Sequence, residues 1–220
     1  MKMKVNDFRK YFNGKKPSCA IALLVLGIIF FLLGVSIDGG YLWAIIGALL
    51  SAGGIIWIVK FRAKHSDRAI DEFCSNQADE YFSAKRAIVD SRGDKVKDAV
   101  YSYGYCFENI FSARRAIQGR DNIWRSSIFE MSCMFFEENM VCFYSKRISL
   151  ITDEKSEKQK DFCLKDIQMV SLEEVNQAVA VAIAIPGNET IYINCRNKEE
   201  AIGLCDRIKR KIYKGGIGND

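Results

Sequence analysis

The chain has 220 residues but one histidine, two prolines and no CxxC pair among its eight cysteines. A lone His65 leaves no HExxH pair, no His/Cys zinc set and no Cys–His couple in a common segment. Neither GxxxxGK[ST] nor GxGxxG occurs, so nucleotide phosphates have no Gly-rich cradle. The cysteines, at positions 19, 74, 106, 133, 142, 163, 195 and 205, are never closer than nine residues apart. That dispersal fits small buried hydrophobes, reduced if they face the cytoplasm, and not a disulfide framework. Adjacent acids at Asp71-Glu72, Glu137-Glu138, Asp153-Glu154, Glu173-Glu174 and Glu199-Glu200 fall in turns, loops and helix starts, where solvation accounts for them. No catalytic residue, metal ligand or cofactor site is assigned, and the expectation is that the chain is not an enzyme.

Charge is the next absence. Residues 18–37, SCAIALLVLGIIFFLLGVSI, are twenty without a charge, about the number a helix needs to cross a hydrocarbon core. Thirteen are Leu, Ile, Val or Phe, which together favour insertion by about 4–8 kcal/mol. After Asp38-Gly39-Gly40, a turn composition, residues 41–59 (YLWAIIGALLSAGGIIWIV) are again uncharged, with Tyr41 and Trp43 at one end and Trp57 at the other like interfacial aromatic belts. The short break requires a tight antiparallel hairpin. Ala44, Gly47, Ala48, Ser51 and Ala52 form a small-residue face on the second run, suited to packing on the first or to a homo-oligomer.

Net charge is +5, and much of the excess flanks these runs. Between Met1 and Ser18, six Lys/Arg face the single acid Asp7; Lys60, Arg62, Lys64 and Arg68 follow the second run, and the turn between the runs holds no cation. The positive-inside rule then places both termini in the cytoplasm, in a plasma (inner) membrane crossed twice. The basicity points to a membrane surface and not to nucleic acid. A cleavable signal peptide is the competing reading, but the first run is long for one and another span follows at once.

The domain reading is therefore a basic segment 1–17, a transmembrane hairpin 18–60, a juxtamembrane linker helix 61–94, a cytoplasmic domain 95–214 and a tail 215–220. In the linker, Ile70, Cys74, Gln77, Tyr81, Ala84 and Ile88 repeat at helical spacing behind a Ser66 cap. The helix either packs on the soluble domain or forms a short coiled coil between copies. Strands are expected at 100–107, 110–117, 127–136, 140–152, 162–164, 167–172, 178–185 and 190–195, with a turn at Glu137-Glu138-Asn139 and a charged loop from Asp153 to Lys160. Asn197 and Glu200 open a final helix bearing Ala201, Leu204, Cys205, Ile208 and Ile212 on one face, with Arg207, Lys209, Arg210, Lys211 and Lys214 in its last turns.

Consecutive strands closed by one helix suggest a bent antiparallel sheet or partly open barrel. The runs FYSKRISLIT and FCLKDIQMVSL, where Leu164-Lys165-Asp166-Ile167 stands like a "pl-x-x-I-x-x-v" step, and TIYINCRNKEEAIGLCDRIKRKI resemble the pleckstrin-homology-like (PH-like) superfold. The likeness is to bacterial PH and GRAM-type domains, covers roughly residues 140–214, and lacks the proline usual near that step. It implies an α+β membrane protein: a two-helix hairpin, then a PH-like antiparallel β-sandwich or partly open barrel with a C-terminal capping helix. It also implies a scaffolding module that binds a protein partner or an anionic lipid headgroup, the latter through Lys146, Arg147, Lys155, Lys158 and Lys160. The alternative is an oligomeric two-helix effector or channel-like subunit with a cytoplasmic sensing domain, although neither span carries an ionisable residue to line a pore.

Overall fold

A computed structural model describes residues 4–13, 18–37, 40–64, 66–91, 98–108, 110–175, 178–187 and 189–216. The chain divides into two units, residues 1–70 and 71–220. The expected turn at Asp38-Gly39, His65, the helix stop at Arg92-Gly93-Asp94, Asn188 and the last four residues of the tail lie outside the described residues.

The first unit opens with a helix that the sequence reading missed. In α1 (Val5–Phe12), Phe8, Tyr11 and Phe12 recur at spacings of three and one and are buried. The Lys4 N–H donates to Asp7 Oδ2 at 3.1 Å, capping the first turn, and the Tyr11 hydroxyl donates to Asp67 Oδ1 at 2.7 Å. The basic residues drew the eye away from an apolar stripe only two turns long.

Two helices follow, α2 (Ser18–Ser36) and α3 (Tyr41–Lys64), each long and apolar enough to cross a membrane. They pack inside out. Ala20, Gly27 and Gly34 are buried on α2, and Gly40, Gly47 and Gly54 are buried opposite them, each set spaced by seven residues. Two turns of helix return nearly to the same face, so the repeat keeps one seam along both helices. The backbones lie so close that a Cβ on Gly27 would stand 2.6 Å from the Ser51 nitrogen, and one on Gly47 would stand 2.6 Å from the Gly27 carbonyl oxygen. Leu32, Val35, Leu42 and Leu49 instead face outward, each more than half exposed. A soluble core helix would be arranged the other way round.

Of the five residues expected to pack, Gly47 is buried in this seam and Ala44 and Ser51 line its edge, while Ala48 and Ala52 are exposed. The four-residue spacing picked out a broad small-residue surface; the seven-residue glycine repeat selects which part of it makes the contact.

The second unit begins within α4 (Asp67–Ser91), which from Asp71 onward lies on a four-stranded antiparallel sheet ordered β1 (Asp98–Cys106), β4 (Ile128–Phe136), β5 (Met140–Ser149), β6 (Lys155–Cys163). Between β1 and β4 sits a small hairpin, β2 (Ala116–Gln118) and β3 (Trp124–Ser126). Register sets the two faces of the sheet. Val100, Met134 and Phe143 align on one, and Tyr101, Cys133 and Tyr144 on the other. The first group joins the main core; the second meets α4, with Phe82 and Tyr101 rings 5.1 Å apart and Lys85 Nζ 4.9 Å from the Tyr144 ring. Every residue of β4 is buried, which is why SIFEMSCMFF reads as a nearly continuous apolar run.

Most of the linker helix therefore packs as part of the second unit. Its buried residues are Ile70, Cys74, Ala78, Tyr81 and Val89; Ala84 and Ile88 are exposed. Their mean spacing is longer than a heptad seam, as suits a straight helix laid on a sheet.

A second, three-stranded sheet, β7 (Met169–Val175), β8 (Ala178–Ile185) and β9 (Glu189–Cys195), follows as an antiparallel meander. It approaches the first where β9 crosses β1. There a Cβ on Gly104 would meet the Cys195 carbonyl oxygen at 2.8 Å, and Ser102 Oγ donates to the Asn194 carbonyl at 2.8 Å. The final helix, α5 (Lys198–Gly216), adds Ala201, Leu204, Cys205 and Ile208 to the core of Val181, Ile183 and Ile193. Asn197 Oδ1 accepts the Glu200 N–H at 2.8 Å, as its cap position predicts; the Glu200 carboxylate turns back to the Arg196 N–H at 3.2 Å.

Three strand expectations change. The segment 110–117 forms a strand only from Ala116, the charged loop 153–160 is mostly β6, and the expected strand 162–164 is the end of β6 followed by a 3-10 turn from Leu164. β6 lies at a sheet edge with one hydrogen-bonded neighbour, where charges on both faces are tolerated and blunt the edge against further pairing.

Candidate functional site

Beside the first half of β9 the two sheets diverge and leave a cleft of about 550 Å³. Its floor comes from β4 and β5, and its walls from β6 and residues 189–192 of β9. The centre of the floor is polar. Glu130, 2% exposed, aligns with Arg147 across the β4–β5 pair. Ser145 Oγ donates to Glu130 Oε1 at 2.7 Å, while Arg147 Nε at 3.0 Å and Asn194 Nδ2 at 2.6 Å donate to Oε2. Three donors, two from β5 of one sheet and one from β9 of the other, thus converge on one buried carboxylate. Arg147 Nη1 also reaches Glu108 Oε2 at 3.3 Å. Burial works to lower the Arg147 pKa, but the Glu130 and Glu108 carboxylates beside it prevail and hold it above its ordinary value.

The five cations expected to meet an anionic headgroup do not form one set. Arg147, Lys158 and Lys160 line the cleft. Lys146, one residue along β5, points to the opposite face, its Nζ 5.6 Å from the Tyr81 ring on α4. Lys155 pairs across the strands with Ile148, on that same far face, and is exposed. Of the three in the cleft, Arg147 is held by Glu130, and Lys160 forms an ion pair with Glu189. Glu108, Glu130 and Glu189 stand in the same lining, so the cleft is of mixed charge, while the Glu157 carboxylate pairs with Lys85 on the α4 face.

The basic cluster on α5 is likewise partly occupied. Arg207 Nη2 and Lys211 Nζ lie 2.8 and 2.9 Å from the two Asp98 oxygens. Burial alone would raise the Asp98 pKa; bonds from Lys211, the Ala99 N–H and Arg207 together bring it below the usual value.

Sequence reasoning missed two residues that organise this domain. Glu130 interrupts an apolar run, and an acid inside a strand that is otherwise buried is the signal that a partner was needed. Arg125 is the other, 1% exposed on β3. Its Nε and Nη2 donate to Asp71 Oδ1 and Oδ2 at 2.9 and 2.6 Å, and its Nη1 and Nη2 to Asp121 Oδ1 and Oδ2 at 2.9 and 2.6 Å. The Tyr105 hydroxyl adds a 2.7 Å bond to Asp71 Oδ1. This double bidentate clamp joins α4, the hairpin and β1.

The thiols offer little reactivity. Cys74, Cys106, Cys133, Cys142, Cys195 and Cys205 are buried, and burial is the first cause that pushes Cys106 and Cys195 up to about 11 and Cys133 to about 12. Among the described residues no three metal-ligating side chains come together. No family model matches the chain, and no curated sequence is significantly similar to it.

Proposed function

We propose that the chain is a membrane-anchored, non-catalytic binding module. Its α2–α3 pair crosses the inner membrane twice, and its PH-like domain presents a surface to a protein partner in the cytoplasm. The observation that carries the anchor is the inside-out packing of α2 on α3, glycine inward and leucine outward. Exposed aliphatic surface on every outer face is stable in lipid and costly in water. The absence of cations between the spans, with cations on both flanks, supports cytoplasmic termini.

The PH-like reading is supported by the order of the main strands. Leaving aside the β2–β3 hairpin, a four-stranded meander is followed by a three-stranded one and then by a single helix that completes the core. A protein partner is favoured over an anionic headgroup in the cleft because Arg147 and Lys160 are already matched by acids. The small residues of α3 are largely used within the hairpin, so a single two-span anchor needs no second copy.

Alkaline carbonate extraction of membranes containing the full chain, followed by protease digestion from the cytoplasmic side, tests this reading. The chain should stay with the membrane, and digestion should remove the domain from residue 66 onward. Release by carbonate, or a domain protected from cytoplasmic protease in sealed vesicles, would overturn it.

A further inference from the structure

We propose that the β2–β3 hairpin is a second membrane contact, docking its exposed tip against the headgroups of an anionic bilayer. The inference rests on the membrane-anchored reading above and adds to it a specific surface. The hairpin and its lead-in, residues 110–126, read IFSARRAIQGRDNIWRS, with four arginines against the single acid Asp121. Ile123 is 49% exposed and Trp124 38%, and Arg114, Arg115 and Arg120 on the same segment are exposed. An outward tryptophan and isoleucine on an arginine-rich segment have the chemistry of the bilayer interface, where indole sits at headgroup depth and guanidinium meets phosphate.

The alternation of β3 explains the presentation. Arg125 turns inward to Asp71 and Asp121, so its neighbour Trp124 points away from the domain. The tip is built rather than loose. Asp121 Oδ1 accepts the Ile123 N–H at 3.1 Å, the Gly119 N–H donates to the Ile123 carbonyl at 2.9 Å, and Asn122 takes the left-handed conformation that the turn demands (φ 61°).

Chain length supplies the remaining argument. The Arg125 clamp ties the hairpin to Asp71, which follows Phe61, the end of the second apolar span, by ten residues. Even fully extended, ten residues reach no more than about 36 Å. The chain thus tethers the residue that holds the hairpin within about 36 Å of the span's end. Charge complementarity selects anionic lipid as the occupant: residues 110–126 carry four arginines and one acid, so the segment is strongly basic.

The test uses the full chain carrying Trp43→Phe and Trp57→Phe, which leaves Trp124 as the sole tryptophan. It is reconstituted in phosphatidylcholine vesicles with or without phosphatidylglycerol, with acyl chains brominated close to the headgroup or unbrominated. Expected in the anionic vesicles are a blue-shifted Trp124 emission and at least a twofold loss of intensity with brominated lipid. Both should diminish in neutral vesicles, and Arg114→Gln together with Arg120→Glu should return the emission to its aqueous value. Emission that bromine leaves unchanged in every vesicle would overturn the proposal. So would shielding from aqueous acrylamide without bromine quenching, which would mean that protein covers the tip. Quenching of equal strength in neutral vesicles would overturn the role of the arginines. Carbonate-resistant flotation of the same samples reports on the spans alone, so the anchor and the hairpin contact can fail separately.

Discussion

At the scale of single residues, the domain depends on two buried charges whose partners come from distant parts of the chain. Truncating Glu130→Ala would strand Arg147, Asn194 and Ser145 around an empty site, and breaking a buried pair of this kind costs about 3–5 kcal/mol. Glu189→Ala removes the acid of an exposed pair with Lys160 and should cost less than about 1 kcal/mol. Urea denaturation of the two variants in detergent, followed by the β-sheet circular dichroism signal, measures the contrast; equal losses would refute the central place given to Glu130. The Arg125 clamp makes a prediction about pH. Arg125 bonds hold Asp121 down at about 2, below the ordinary carboxylate value. A depressed folded-state pKa gives stability that is fully present above about pH 4 and fades as pH falls towards 2. The melting temperature should therefore drop more steeply across that window in the native chain than in Asp121→Asn, and parallel curves would show that the clamp contributes nothing there.

At the scale of elements, what was legible in the sequence is what periodicity alone determines. α2 and α3, as long apolar runs, fall close to their expected limits, as do α4, α5 and the strands β4, β5, β8 and β9, on which burial imposed a pattern. The misses have physical causes. β6 is an edge strand rich in charge, so no apolar alternation marks it; α1 is two turns long; β2 and β3 are three residues each and owe their shape to Arg125. The candidate site was less legible, since Lys146 and Arg147 are neighbours in sequence and lie on opposite faces of a strand. The helix pair shows the same limit, because a small-residue surface does not announce its seam. Gly47→Leu should wedge α2 from α3 and cost about 1–3 kcal/mol, whereas the outward Ala48→Leu should be nearly neutral. Amide exchange within α2 and α3 in micelles should then quicken about tenfold or more for the first variant only. Equal exchange in both would show that the glycine repeat is not the contact.

At the scale of the whole second unit, the decisive question is where the domain begins. A boundary at residue 95 looks natural in the sequence, because the period changes there from helix to strand. The packing sets it earlier. On the face of the first sheet away from the main core stand Phe129, Met131, Cys133, Phe135 and Tyr144, none more than 2% exposed, and α4 contributes Tyr81, Phe82 and Lys85 against that face. Three side-chain bonds, Tyr103 to Ser75, Tyr105 to Asp71 and Arg125 to Asp71, fix the helix along β1 and β3. Removing it would uncover five large or apolar side chains in one patch, a surface that favours aggregation. A fragment of residues 67–216 should accordingly be monomeric and unfold cooperatively, while residues 98–216 should aggregate or bind a hydrophobic dye. Size-exclusion chromatography of both decides it. A monomeric, cooperative 98–216 fragment would mean that α4 is a separable linker after all; its failure beside a well-behaved longer fragment would make α4 an integral layer of the second unit.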